Sequence, residues 1–339
     1  MPTARGLTFA SIATLGTAAV PELTRRTAEL GFDSFWTAET TAQEAFATLA
    51  LAGATAPGIG LGTGVLALQL RTPMLAAMGA ATLATLPDAG PVHLGVGISS
   101  PVVVGQWHGA EYGDRPVARV REYLTLVREC LSGEPVTFDG EFWSAKRFRL
   151  GIRLGEQRPR LVLGALNEKM LQTAGELADG VLLNYLPATA VPWCVEQVRK
   201  GEAAAGRDPG SCRIHAYVHV GVCDPEGARE PARRDLFSYA VVPAYARAFA
   251  RAGFADEVEA ITEAHSRRDR DAALAAVSDR MIDAIDICGD AQRVAAAVAE
   301  YEAAGVDHAV IMPLPWGPDR RAVVDATMEA TAPRSRSVV

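Results

Sequence analysis

Short β-branched apolar runs alternate with Ala- and Leu-rich helical stretches along almost the whole chain, and strict alternation of this kind makes the strands parallel. GLTFAS is strand-like, and VPELTRRTAELG is an amphipathic helix closed by Gly31. SFWTAE follows as a strand, then an Ala-rich helix near residues 42–54. GIGLGTGVLAL is a third strand, and TPMLAAMGAATLATL a third helix with Pro73 in its first turn. PVHLGVGI is a fourth strand. The alternation loosens between Ser99 and Pro116, where Gly, Pro, aromatic and polar residues mix. After the helix VARVREYLTLVRECL, VTFDGEFWSAKRFRL predicts a hairpin turning at Asp139–Gly140. Alternation then returns: PRLVLGAL, NEKMLQTAGELA, GVLLNYL, VPWCVEQVRKGEAAAG and CRIHAYVHVGV. A helical stretch rich in Arg, Asp and Ala fills residues 226–285, before DAQRVAAAVAEYEAAG, DHAVIMPL and DRRAVVDATMEA.

Eight strands, each followed by a helix, suit a closed barrel better than an open doubly wound sheet. Strand interiors such as VLL, LVL and AVIM are apolar throughout, as a wall buried on both faces requires. The expectation is an α/β protein, a (β/α)₈ TIM barrel with insertions at its C-terminal face. With no repeat and no low-complexity linker, residues 1–339 are expected to form a single domain.

Composition excludes several classes. A net charge of −7 argues against nucleic acid, whose phosphates need a basic surface. No apolar run reaches the roughly 20 residues of a membrane helix, and MPTARGLTFAS has no long hydrophobic region, so neither membrane nor secretion is expected. The five cysteines, Cys130, Cys194, Cys212, Cys223 and Cys288, are scattered and form no CxxC pair. Neither a disulfide framework nor a metal site is therefore indicated, and a reduced cytoplasmic protein is expected. No HExxH, GxSxG or complete GxGxxG motif is present; LGVGISS supplies only Gly95 and Gly97.

In a barrel of this class the chemistry sits at the C-terminal strand ends. Those positions are Ser11, Glu39 to Thr41, Gly64 to Leu68, Gly97 to Ser100, Gly164 to Asn167, Asn184 to Tyr185, and Met312 to Trp316. Recurrent glycine there lets a flat ligand approach the backbone, although glycine also simply ends strands. GALNEKML is the best candidate anion site, with a strand ending at Gly164, a helix opening near Asn167, and Lys169 adding charge. His108, in Gln-Trp-His-Gly, lies in a loop beside the mouth and reads either as a structural hydrogen-bonder or as a catalyst.

ELGFDSFWTAE, LGTGVLALQLRTP, LGVGISSPVVVGQWHG, DRPVARVREYLTLVREC, GALNEKMLQTAGELADGVLLNYLP and GDAQRVAAAVAEYEAAGVD together resemble the bacterial luciferase-like superfamily. They are most similar to its actinobacterial branch of oxidoreductases that use the deazaflavin coenzyme F420. The likeness runs from about residue 5 to 330 in the family's order. It implies a cofactor ring at the mouth, a phosphate at the turn after the fifth strand, and a non-prolyl cis peptide at Gly64–Val65 pressing on one ring face. It places Glu39 near the ring and Leu166, Asn167 and Met170 around the phosphate-bearing tail. The implied cofactor site comprises Ser11, Glu39, Thr63, Gly64, Val65, Gly97, Ser99, Gly164, Ala165, Leu166, Asn167, Met170 and Asn184, with Glu39 and His108 as catalytic candidates. Thr40 and Ser100 stand where the family's sugar-phosphate dehydrogenases carry a histidine and a glutamate, which argues against that activity. The implied function is hydride transfer between F420 and a small organic substrate. The alternatives are a reduced-flavin (FMN) monooxygenase and a non-catalytic ligand-binding barrel. A homodimer is expected through the Ala-rich helices after strands two and three.

Overall fold

The computed structural model describes residues 3–156 and 158–333. All eight expected strands form: β1 Ala4–Thr8, β2 Ser34–Thr37, β3 Gly60–Thr63, β4 Val92–Gly97, β5 Arg160–Gly164, β6 Gly180–Leu183, β7 Arg213–Val222 and β8 His308–Pro313. Each pairs parallel with the next, and β8 pairs with β1, so the ring closes as a (β/α)₈ barrel. Two short strands extend it at the C-terminal end, Leu66–Ala67 beside β4 and Ile287–Gly289 beside β7.

The local sequence explains these elements. The helix Val20–Glu29 buries Val20, Leu23, Thr24 and Thr27, its apolar stripe. It ends where Gly31 takes φ 82°, and the Gly31 and Phe32 amides donate back to the Ala28 and Thr27 carbonyls. Pro73 opens the helix Pro73–Ala84, capped by the Thr72 hydroxyl. The expected hairpin pairs Val136–Asp139 with Ser144–Phe148, but its turn lies one step later than expected, across residues 140–143. Asp139 stays in the ladder because the Glu122 carboxylate accepts the amide hydrogens of Glu141, Phe142 and Trp143, which holds the longer turn.

Among the described residues, three apolar clusters follow from this layout. The largest lies between barrel and helices. A second fills the barrel axis with Trp36, Val162, Leu182, Tyr217 and Val310, with Val65 and Met312 at its edge. The third belongs to the inserted helices within residues 225–285 and reaches the barrel through Tyr185 and Trp316. Alternate residues of β7, His215, Tyr217 and His219, point to the axis, as strand geometry demands. The floor of the barrel is polar: Trp36 donates to Ser34 Oγ at 2.8 Å, Ser34 meets His308 at 3.0 Å, and His308 meets His215 at 3.2 Å. His93 stacks on Trp36. Among the described residues no helix is long and apolar enough to cross a membrane.

Candidate active site

Of the two glycines in LGTGVLAL, Gly62 makes room for a neighbour: a Cβ there would stand 2.2 Å from the Trp36 ring. Gly64 differs. The Gly64–Val65 peptide is cis, as the family resemblance implied. Its carbonyl accepts from Tyr217 at 2.9 Å, and its amide donates to Thr37 O at 2.7 Å. Burial pushes the Tyr217 phenol well above its ordinary range, so it stays a donor, and Thr8 donates to the same oxygen at 3.3 Å. Thr63 completes the bulge by bonding both the amide and carbonyl of Gly95, at 2.7 and 2.8 Å. The Val65 side chain lies among strand-end glycines: a Cβ on Gly97 would meet it at 2.8 Å and one on Gly164 at 3.3 Å. Thr63, Gly64, Val65, Gly97 and Gly164 therefore converge on one patch at the mouth.

Glu39 sits beyond β2 and is half-buried. Arg71, not singled out from the sequence, binds it at 2.8 and 3.2 Å and also bonds Glu44, the N-cap of the helix Ala45–Thr55. Burial opposes ionisation of Glu39, but hydrogen bonding and charge from Arg71 prevail and hold its carboxyl below the usual value. Glu39 is thus an ion-paired carboxylate that helps to anchor the loop after β2. His108 is exposed and donates from Nε2 to the Thr40 carbonyl at 2.6 Å, tying the 99–116 segment to the β2 loop. That segment folds as a short wide helical turn, Val102–Trp107, whose start is capped by the Ser100 hydroxyl; Val104 is buried while Trp107 is 58% exposed. Ser99 is exposed, with a positive φ.

Beyond β5, Gly164 and Ala165 lead to Leu166 and Asn167, and the helix Glu168–Leu177 opens. Asn167 is the N-cap residue, yet its side chain bonds the Ala244 carbonyl at 3.0 Å instead of capping. The first amides of the helix keep the donor capacity that an anion needs. Arg251 from the inserted helices reaches the Leu166 carbonyl and lies 3.4 Å from Asn167 Oδ1, its guanidinium stacked 3.8 Å over Trp193. Sequence reasoning missed this cation because it arrives from about 85 residues away; its only signal was the Arg-rich composition of residues 226–285. Lys169 is exposed on the same helix, and Met170 is half-buried.

Ser11, after β1, has a buried Oγ with no partner. Asn184, after β6, is engaged: its Oδ1 accepts from the Tyr185 amide at 3.0 Å and faces His219 Nε2 at 2.8 Å. Tyr185 in turn donates to Asp235 at 2.8 Å and packs against Tyr239 and Tyr245. A cavity of about 480 Å³ lies to one side, lined by Cys223, Asp224, Pro231 and Trp316, and touches none of the bulge residues.

Comparison with known proteins agrees with this geometry. The family model described as luciferase-like monooxygenase matches residues 8–308. A Mycobacterium tuberculosis protein provisionally named coenzyme F420-dependent oxidoreductase is 30% identical over 311 residues, covering 86% of this chain and 89% of the relative. The 5,10-methylenetetrahydromethanopterin reductase of Archaeoglobus fulgidus is 28% identical over 297 residues, covering 86% and 88%. The solved coenzyme F420-dependent tetrahydromethanopterin reductase of Methanopyrus kandleri superposes with a TM-score of 0.81 at 24% identity, covering 98% of each chain, which supports the fold.

Proposed function

The chain belongs to the luciferase-like monooxygenase family, and we propose that it uses the deazaflavin coenzyme F420 to move a hydride to or from a small organic substrate. The convergence of Val65, Gly97 and Gly164 on one patch carries this reading. It offers a flat, side-chain-poor surface beside a turn that is rich in anion donors. The orphaned Ser11 Oγ supplies a further unused polar atom at the mouth.

When bound, the deazaflavin supplies the hydride chemistry. The protein's part is binding and orientation. Tyr217 and Thr63 hold the bulge that presents Val65. The turn Ala165–Asn167, with the opening amides of the following helix and the charge of Arg251 and Lys169, would take the phosphate-bearing tail. Glu39 and Arg71 brace the loop on the opposite side. The inserted segments at 99–116 and 225–285 would define the substrate, whose identity no motif specifies.

Two variants test the placement. Gly164→Val would drive methyl groups into Val65, whose Cγ atoms already stand 3.3 and 3.4 Å from the new Cβ. Arg251→Ala would remove the cation that bonds the Leu166 carbonyl. Each is expected to weaken F420 binding at least tenfold, about 1.4 kcal/mol, in a fluorescence titration while the fold survives; unchanged affinity in both would defeat the placement. We also propose a homodimer, since Leu51, Leu75 and Met78 are exposed on the Ala-rich helices after β2 and β3. A light-scattering mass near 35.8 kDa at micromolar concentration would contradict it.

A further inference from the structure

The proposed chemistry leaves a buried His–Asp pair at the mouth without a role. His219 and Asp286 are each 1% exposed, at the top of the barrel interior. His219 Nδ1 lies 2.9 Å from Asp286 Oδ1, and Nε2 lies 2.8 Å from Asn184 Oδ1. The orientation of Asn184 is fixed independently, because its Oδ1 also accepts the Tyr185 backbone amide. An amide oxygen only accepts, so Nε2 must carry a hydrogen. A neutral ring with its hydrogen on Nε2 has a bare Nδ1, which here would face a carboxylate oxygen at hydrogen-bonding distance. A second proton must therefore lie between Nδ1 and Oδ1. The common arrangement, in which Nδ1–H serves an ionised carboxylate and Nε2 is bare, is ruled out by Asn184.

The surroundings support a neutral pair. Asp286 Oδ2 is buried with no partner, a costly place for a charged oxygen. Around the pair stand Asp235 and Tyr239 from the helix Pro225–Ala240, Tyr245 from the helix Pro243–Phe249, and Tyr185 and Asn184 after β6; among the described residues no lysine or arginine bonds to it. Asp235, Asp286 and His219 each place one donor atom within 4.8 Å of the others. Both ring nitrogens are already engaged, so the group closes on itself.

We propose that Asp286 and His219 are positioning residues: a neutral, proton-sharing pair whose permanent Nε2–H clamps the Asn184 carboxamide at the barrel mouth. The clamp fixes the wall formed by Asn184, Tyr185 and Tyr245 and ties it to the inserted helices.

Nitrogen-15 NMR of the full chain, labelled at histidine, tests this directly, with His219→Gln identifying the signal. Between about pH 5.5 and 9, Nε2 is expected to remain protonated. A bare Nε2 with the hydrogen on Nδ1 anywhere in that range would overturn the proposal. Asp286→Asn supplies a second test, since the asparagine amide can donate to Nδ1 and preserve Nε2–H. It is expected to melt within a few degrees of wild type and bind F420 within about twofold, whereas Asp286→Leu loses about tenfold. Asparagine behaving as badly as leucine would overturn the neutral pair. So would stoichiometric zinc or manganese in the purified protein, since a metal on the ring would displace a proton. The affinity arm rests on the deazaflavin proposal and the NMR arm does not. Wild type failing to bind F420 would sink that proposal, and the pair would then be decided by the nitrogen spectrum.

Discussion

β7 carries a histidine at each end of the barrel interior, and the two keep opposite company. At the floor, burial above all, then His308, His93, Arg213 and Arg160, drive the proton affinity of His215 well below its ordinary value. Burial likewise lowers His93 and His308 to about 3. At the mouth, burial lowers His219 to about 4, opposed by the Asp235 charge, and raises the Asp286 carboxyl. Those directions match a proton resting mainly on the carboxyl side of the shared pair. One strand and one residue type thus give a neutral structural ring below and a proton-sharing clamp above. The partners set the difference, since depth is the same at both ends.

The largest expected effect comes from the floor. Depressed histidine values mean that the unfolded chain takes up protons first, so the floor's contribution to stability is complete above about pH 6.5 and is lost as pH falls toward about 3. Thermal unfolding should show a loss on the order of 3 kcal/mol between pH 7 and 4 for each of His93 and His308, and His93→Phe should remove one such share of the slope. An unchanged slope in the variant would place the acid sensitivity elsewhere.

The mouth should respond with the opposite sign. Burial above all pushes Asp235 up to about 7. Its contribution is present below the ordinary carboxylate value near 4 and is lost as pH rises through about 7. Asp235→Asn cannot ionise and can still accept from Tyr185. It should match wild type near pH 4 and exceed it by roughly 1–3 kcal/mol at pH 8. Equal stability at pH 8 would mean that the carboxylate is better solvated than its burial suggests. The smallest effect serves as a control: Arg71→Met, removing a partly exposed ion pair with Glu39 and Glu44, should cost about 1 kcal/mol and soften with salt. A much larger loss would show that the pair carries more of the mouth than its exposure implies.

The barrel was legible because its strands are short, apolar and regularly separated by helices, and a closed parallel ring is what that alternation can bury. The bulge was legible through the glycines at 62 and 64, although only the structure separates Gly62, which makes space for Trp36, from Gly64, whose carbonyl takes the Tyr217 hydroxyl. What stayed hidden depends on distant pairing. Arg251 meets Leu166, Arg71 meets Glu39, and Asp286 meets His219 across gaps that no local spacing records. Glu39 was legible as an acid after β2, while the arginine that pairs with it, Arg71, is not identifiable from the sequence. The hairpin turn was misplaced for a similar reason, since Glu122 lies on another element.

The choice of cofactor tests the account most directly. Pure protein titrated in parallel with F420 and with FMN, followed by fluorescence, should bind F420 saturably at about one per chain and FMN more weakly, with no oxygen uptake when the reduced deazaflavin complex is exposed to air. Tight FMN binding, with rapid oxygen consumption by the reduced complex and no saturation by F420, would contradict it.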